Sequence, residues 1–155
     1  MIIEYSRVRP EVRPPVRANP SDAGLDVFFC PPDPTTAAMS VAANASVILP
    51  TGLRFGVPHG YMLEAKNRSS VAAKRGLLVG ACVIDSGYDG EVFINLHNVG
   101  SEAQHIMAWD KIAQLVLVPV VHFRALETNG DLYDWYPITI SGRGDGALGS
   151  TDDKQ

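Results

Sequence analysis

Asp85 closes the apolar run 77–84 and opens a Gly-rich turn, Ser86-Gly87-Tyr88-Asp89-Gly90. A carboxylate at a strand end beside such a turn has the placement of a general base that activates water. The same residue type also serves plain turn chemistry, accepting bonds from nearby backbone. A second group, Asn67-Arg68-Ser69-Ser70, sets a guanidinium beside two hydroxyls at the start of a short helical pattern. Free first-turn N–H groups there either attract an anion or take an ordinary cap. A third group lies near the C-terminus: Arg143, the glycines Gly144, Gly146 and Gly149, then Ser150 and Thr151. Glycines expose backbone N–H groups, and Arg and hydroxyl side chains donate to phosphate.

Several other chemistries are disfavoured. Gly144, Gly146 and Gly149 match GxGxxG, but six residues follow, too few for the helix and second strand of a dinucleotide fold. Residues 144–151 also read GxxxxG-Ser-Thr, without the lysine of a phosphate-binding P-loop. Cys30 and Cys82 are far apart and form no CxxC, which argues against a disulfide framework or a four-cysteine zinc site. His59, His97, His105 and His122 are scattered, with no HExxH and no HxE…PCxxC, so zinc hydrolase and zinc deaminase chemistry have little support.

Charge narrows the ligand. The net charge of −4 disfavours a protein held on nucleic acid by bulk positive charge. Within residues 64–75 the sign reverses: Lys66, Arg68, Lys74 and Arg75 outweigh Glu64, giving +3. That patch suits one compact anion, and equally a solvated loop. No stretch approaches the roughly 18–20 apolar residues of a membrane helix, and the first apolar run is too short for a signal peptide. A soluble cytoplasmic protein with no membrane partner is expected.

The elements that must hold these groups read mostly as strands. Gly and Pro, 25 of 155 residues together, split the chain into short runs. Strands are expected at 25–29, 45–49, 53–57, 61–65, 91–97 and 136–140, with a buried strand at 112–121 that Pro119 interrupts or ends. In 91–97, Val92, Ile94 and Leu96 fall on one face. The spacing predicts one helix, over 69–75, with Ser69 or Ser70 as N-cap and Gly76 as stop. Residues 10–20, with four prolines, read as an extended edge segment. Residues 141–155 are nearly core-free: a disordered tail, or an arm that orders on a ligand or partner. Strands recurring at this spacing predict an all-β barrel or jelly roll.

Five segments together carry a far more specific signal. They are Asp22–Asp26 (DAGLD), Asn67–Gly76 (NRSSVAAKRG), Gly80–Glu91 (GACVIDSGYDGE), Asp110–Leu115 (DKIAQL) and Arg143–Thr151 (RGDGALGST). In this order and spacing the chain resembles the trimeric all-β dUTP diphosphatase (dUTPase) family, from about residue 5 to 151. The resemblance implies a jelly-roll or distorted β-barrel subunit over residues 1–140, one short helix, and a Gly-rich C-terminal arm over 141–155. It implies a homotrimer in which each active site draws on all three chains and the arm closes a neighbour's site. The implied reaction is hydrolysis of dUTP to dUMP and pyrophosphate, limiting uracil in DNA and supplying dUMP for dTTP synthesis.

Roles follow from the same resemblance. Asp85 matches the aspartate that activates water for attack on the α-phosphorus. Mg²⁺ is implied on the substrate's phosphates and water, with no direct protein ligand. Arg68, Ser69, Ser70 and Gln114 match phosphate-contacting positions; Arg143, Gly149, Ser150 and Thr151 match the arm at the terminal phosphate. Tyr88 matches the aromatic that packs on the deoxyribose. Main-chain groups of an expected hairpin, including Val79, Gly80, Val83 and Ile84, are implied to read uracil. Asp26 is implied to order the site.

The chain also departs from the family pattern. Ala147-Leu148 stands where the family usually has Gly-Phe, so the resemblance implies that Leu148 covers the base by apolar contact, without aromatic stacking. Cys82 replaces a common Gly, and Asp89 stands where Arg is common. The related dCTP deaminases share the fold but need a glutamate where this chain has Asn95. A shell that acts by binding a regulatory protein partner is the remaining alternative.

Overall fold

A computed structural model of the chain describes residues 1–130. The chain divides into two compact units, Met1–His122 and Phe123–Gln155. Of the second unit only residues 123–130 are described; they form neither helix nor strand and are exposed. The strand expected at 136–140 and the boundary near residue 140 lie outside the described residues.

The first unit is all-β with one short helix. In chain order the strands are β1 (Tyr5–Arg7), β2 (Gly24–Phe28), β3 (Ala38–Val41), β4 (Ser46–Pro50), β5 (Leu53–Phe55) and β6 (Tyr61–Lys66). The helix α1 (Ser69–Arg75) follows, then β7 (Leu77–Val79), β8 (Val83–Ile84), β9 (Phe93–Asn98), β10 (Gln104–Met107) and β11 (Lys111–Pro119). Two sheets hold the fold: a four-stranded one in the order β2-β11-β6-β8 and a three-stranded one in the order β4-β9-β7. Two-stranded ribbons, β1-β5 and β10-β3, complete it, and every recorded pairing is antiparallel.

Alternation explains where the core sits. Along β9, Ile94 and Leu96 are fully buried while Phe93 and His97 face out, as a pleated strand with one wet face requires. β11 runs through the middle of its sheet and buries Ile112, Ala113 and Leu115. These residues join Val27, Phe29, Leu49, Leu53, Leu63 and Ile106 in one apolar cluster. Pro119 ends β11, since a proline cannot donate to a ladder.

The helix occupies the expected residues, but its cap does not. The N-cap is Arg68, in extended conformation and without a side-chain cap bond; Ser69 and Ser70 already lie inside the helix. A tertiary ion pair made by Arg68, rather than a local hydroxyl, fixes the entry. Gly76 stops the helix as expected, at φ 62°, with its N–H returned to Ala72 O. The segment 10–20 borders β2 through reciprocal Val16–Asp26 backbone bonds and through the Arg13 guanidinium over the Phe28 ring. Strands β1, β3 and β10 were not expected; their exposed residues show no apolar alternation to mark them.

Asn98 is one of two buried polar residues among the described residues. Its Nδ2 donates to Val41 O, Ala42 O and Glu102 O, and its Oδ1 accepts the Gly100 N–H. One side chain thus ties the end of β9 to the end of β3 and to the following turn. Replacing it by leucine leaves these buried groups unmatched, and should cost roughly 3 kcal/mol in urea unfolding; a cost under about 1 kcal/mol would contradict this role.

Candidate functional site

The candidate residues of the described chain fall into two clusters. The first is built on the β2 edge of the larger sheet. Asp26, on β2, points one carboxylate oxygen at Arg68 Nε (2.8 Å) and the other at Lys111 Nζ (2.8 Å). Asp26 is the more sheltered partner in both pairs. Its carboxylate thus fixes the guanidinium that precedes α1 and the ammonium that opens β11. Gln114 sits opposite Asp26 in the β11–β2 register and donates through Nε2 to Asn67 O at 2.9 Å. Gly24 makes room for it: a Cβ there would lie 2.6 Å from Gln114 Oε1. Asn67 in turn accepts the Val79 N–H through Oδ1 at 2.7 Å. Asp22, Asp26, Arg68, Ser69, Ser70 and Gln114 line a common pocket of about 180 Å³.

Lys111, Asn67 and Gly24 were not singled out as site residues. The charge of Lys111 at the head of an apolar run was the available signal; Asn67 and Gly24 act through packing that spacing does not report. The basic patch of residues 64–75 is also less cationic than its sequence. Lys66 pairs with Glu64, Arg68 with Asp26, and Arg75 with Asp110.

The second cluster lies at the opposite edge of the same sheet. Val83, Ile84, Asp85, Tyr88, Glu91, Val92 and Phe93 line a pocket of about 220 Å³. Asp85 follows the edge strand β8 and is exposed. Its carbonyl accepts the Tyr88 N–H at 3.3 Å, closing the turn. Tyr88 Oη donates to Glu91 O at 2.8 Å.

The expected hairpin over 79–85 is not one. β7 pairs with β9 and β8 with β6, so residues 80–82 carry the chain from one sheet to the other. The Val79 and Gly80 N–H groups are taken by Asn67 Oδ1 and Asn95 O. Gly80 lies against Asn95 and His97: a Cβ would come within 2.7 Å of His97 Cδ2. Cys82 fits where a glycine is common, with no positive φ and its carbonyl bonded to the Ala65 N–H. That bond puts Val83 at the alternate position, where its N–H and C=O point away from β6 along the free edge.

Neither pocket reaches the roughly 300–1,000 Å³ that encloses a drug-sized ligand, so each is a partial site. They share no lining residue. A larger depression of about 420 Å³ along β1 and β5 contains none of the candidate residues. Among the described residues, no three His, Cys, Asp or Glu side chains converge on a metal-sized space. Of the described helices, none is long and apolar enough to cross a membrane. Arg143, Leu148, Gly149, Ser150 and Thr151 lie outside the described residues.

The family model for dUTPase matches residues 11–139. A deoxyuridine 5'-triphosphate nucleotidohydrolase of Gloeobacter violaceus is 38% identical over 117 residues, covering 74% of this chain and 77% of that protein. Among solved structures, a mutant dUTPase of Staphylococcus bacteriophage 80alpha with dUpNHpp superposes with a TM-score of 0.79 at 21% identity, covering 97% of this chain and 98% of that one. A mutant dUTPase from phage phi11 of S. aureus, described with a structural Mg(II) ion, gives 0.73 at 22% identity over 85% and 99%. With the family model covering most of its length and five motifs in order, the chain belongs to the dUTPase family.

Proposed function

We propose that this chain hydrolyses dUTP to dUMP and pyrophosphate, and that it does so as a homotrimer. The observation that carries the reading is the pocket beyond β8, where exposed Asp85 stands beside Tyr88 and the unpaired edge of Val83. An unpaired strand edge presents one donor and one acceptor to a pyrimidine. Uracil offers a carbonyl and an N–H at positions 4 and 3, whereas cytosine offers an amine and a bare nitrogen, so cytosine would leave buried groups unpaired. Tyr88 forms the wall on which the deoxyribose packs.

In the reaction, Asp85 accepts a proton from a water as its oxygen bonds to the α-phosphorus. The bond from that phosphorus to the bridging oxygen breaks, and pyrophosphate leaves on the opposite side. The proton passes from Asp85 to solvent. Arg68, Gln114 and the hydroxyls of Ser69 and Ser70 bind phosphate oxygens, with Asp26 holding the guanidinium in place. Arg143, Gly149, Ser150 and Thr151 of the arm bind the terminal phosphate, and Leu148 covers the base. Cationic, hydroxyl and amide donors suit phosphate oxygens, and Mg²⁺ would be carried by the triphosphate, where it would neutralise charge on the leaving group. The structural Mg(II) ion of the phi11 protein supports magnesium as an ion that members of the family bind.

The spacing of the two clusters supports a site shared between subunits. Asp26 and Asp85 belong to opposite edges of a four-stranded sheet, three interstrand steps or about 14 Å apart. A base on the α-phosphorus and an arginine on the same triphosphate need a closer approach, which a neighbouring chain supplies when the β8 edge of one subunit faces the β2 edge of the next. The dUpNHpp complex of the 80alpha protein supports the substrate class.

Two outcomes are expected. Asp85→Asn should lower kcat for pyrophosphate release by about 10²–10⁴-fold while dUpNHpp still binds; unchanged kcat would remove Asp85 from the mechanism. Leu148→Phe should restore a stacking contact worth about 0.5–1.5 kcal/mol, seen as a several-fold lower KM; unchanged KM and kcat would mean that Leu148 does not cover the base.

A further inference from the structure

Two residues after Tyr88, the backbone is shaped around its ring. A Cβ on Gly90 would lie 2.6 Å from Tyr88 Cζ and 2.9 Å from Cε2, so any side chain there evicts the ring. The ring's hydroxyl ends on Glu91 O. That carbonyl is fixed from both sides. On one side, Val92 is stitched into the sheet: its N–H donates to Leu53 O, and its carbonyl accepts both the N–H and the hydroxyl of Thr51. On the other side, the Glu91 side chain, 16% exposed, accepts the Gly52 N–H through Oε1 at 2.7 Å. The same oxygen lies 3.7 Å from an Arg9 nitrogen that also donates to Cys30 O at 3.0 Å. Arg9 Nε is buried and makes no hydrogen bond among the described residues, and two carboxylates compensate the guanidinium: Glu91, and Glu11 with an oxygen 3.6 Å from Nε.

We propose that Gly90 and Glu91, with Arg9 behind them, are positioning residues that set the Tyr88 ring and thereby the discrimination between deoxyribose and ribose. The inference rests on the reading of Tyr88 as the sugar wall. A wall excludes a 2′-hydroxyl only if it cannot swing aside. Tyr88 is half exposed and stands on a turn, so its own packing is not enough to hold it. The hydroxyl bond to Glu91 O and the close approach over Gly90 supply the second and third points that define the ring plane. The Glu91 side chain holds the carbonyl to the Gly52 amide, and Arg9 holds the side chain.

The test is the ratio of kcat/KM for dUTP to that for UTP, a readout that loss of stability alone does not move. Tyr88→Ala, Gly90→Ala, Glu91→Ala, Glu91→Gln and the double variant Arg9→Met/Glu91→Ala are compared with the wild type. Gly90→Ala displaces only the ring and leaves the core untouched; it should lower the ratio at least 10-fold. Glu91→Ala should do the same and lower Tm, because it removes the less exposed of the two carboxylates beside Arg9. Glu91→Gln keeps an acceptor for Gly52 and should retain most of the discrimination. The double variant also removes the guanidinium left with Glu11 alone and should recover Tm without recovering the ratio, which keeps the test decisive should Glu91→Ala alone fail to fold. If Tyr88→Ala loses discrimination but Gly90→Ala and the double variant do not, the positioning proposal is wrong. If Tyr88→Ala discriminates as the wild type does, the sugar-wall reading itself is wrong.

Discussion

Asp26 holds two cations at once, and the β2 edge of the larger sheet is arranged around that contact. Arg68 and Lys111 come from distant parts of the chain, and without a shared carboxylate they would repel across a few ångströms. Exposed ion pairs are worth little singly, but Asp26 is sheltered and bound on both oxygens, so losing it would leave two partly buried charges uncompensated. Its backbone also exchanges both bonds with Val16 and stands opposite Gln114. One residue therefore registers the N-terminal segment, β2, β11 and the entry to α1. The cost of holding Arg68 this way is a reduced net positive charge. On the proposed reading, a triphosphate is met by directed donors and by its own cation rather than by a broad basic surface, which suits a chain of net charge −4.

The opposite edge obeys a different constraint. β8 is two residues long and bonded on one side only, which leaves backbone groups free next to Asp85 and Tyr88. Edge strands invite pairing with other chains, and a short one beside a Gly-rich turn limits that risk while keeping its donors and acceptors for a ligand. Behind it the turn is locked by Glu91, Val92 and Thr51, so the exposed groups stand on a rigid base. The two edges thus carry different groups, cations and hydroxyls on one, a carboxylate, an aromatic ring and free backbone on the other, and the sheet between them keeps the two sets of one chain apart.

Much of this was legible in the sequence because local rules govern it. The α1 residues, its Gly76 stop, the alternation of β9 and the end of β11 at Pro119 follow from spacing, φ preference and the missing proline donor. What escaped has a tertiary origin. Ser69 and Ser70 looked like caps, but an aspartate 42 residues away holds Arg68 instead. The segment 79–85 looked like a hairpin, but Asn67 and Asn95 take its amides and send it between sheets. Strands such as β1 and β3 are exposed and short, so no periodicity marks them. Of the site, the motif residues were legible by resemblance, whereas Lys111, Asn67, Glu91 and Arg9 matter through contacts that only folding creates.

Sharing of a site between chains is tested by subunit mixing. Asp85→Asn removes the base and Arg68→Ala removes a phosphate contact, and each variant alone should be nearly inactive. Co-expressed with different tags and purified as hybrids, they generate sites in which an intact Asp85 from one chain faces an intact Arg68 from another. With random assembly, activity should return to about a quarter of the wild-type value per site. Hybrid assemblies no more active than the two parents would show that both residues act from one chain, and would contradict the trimeric site.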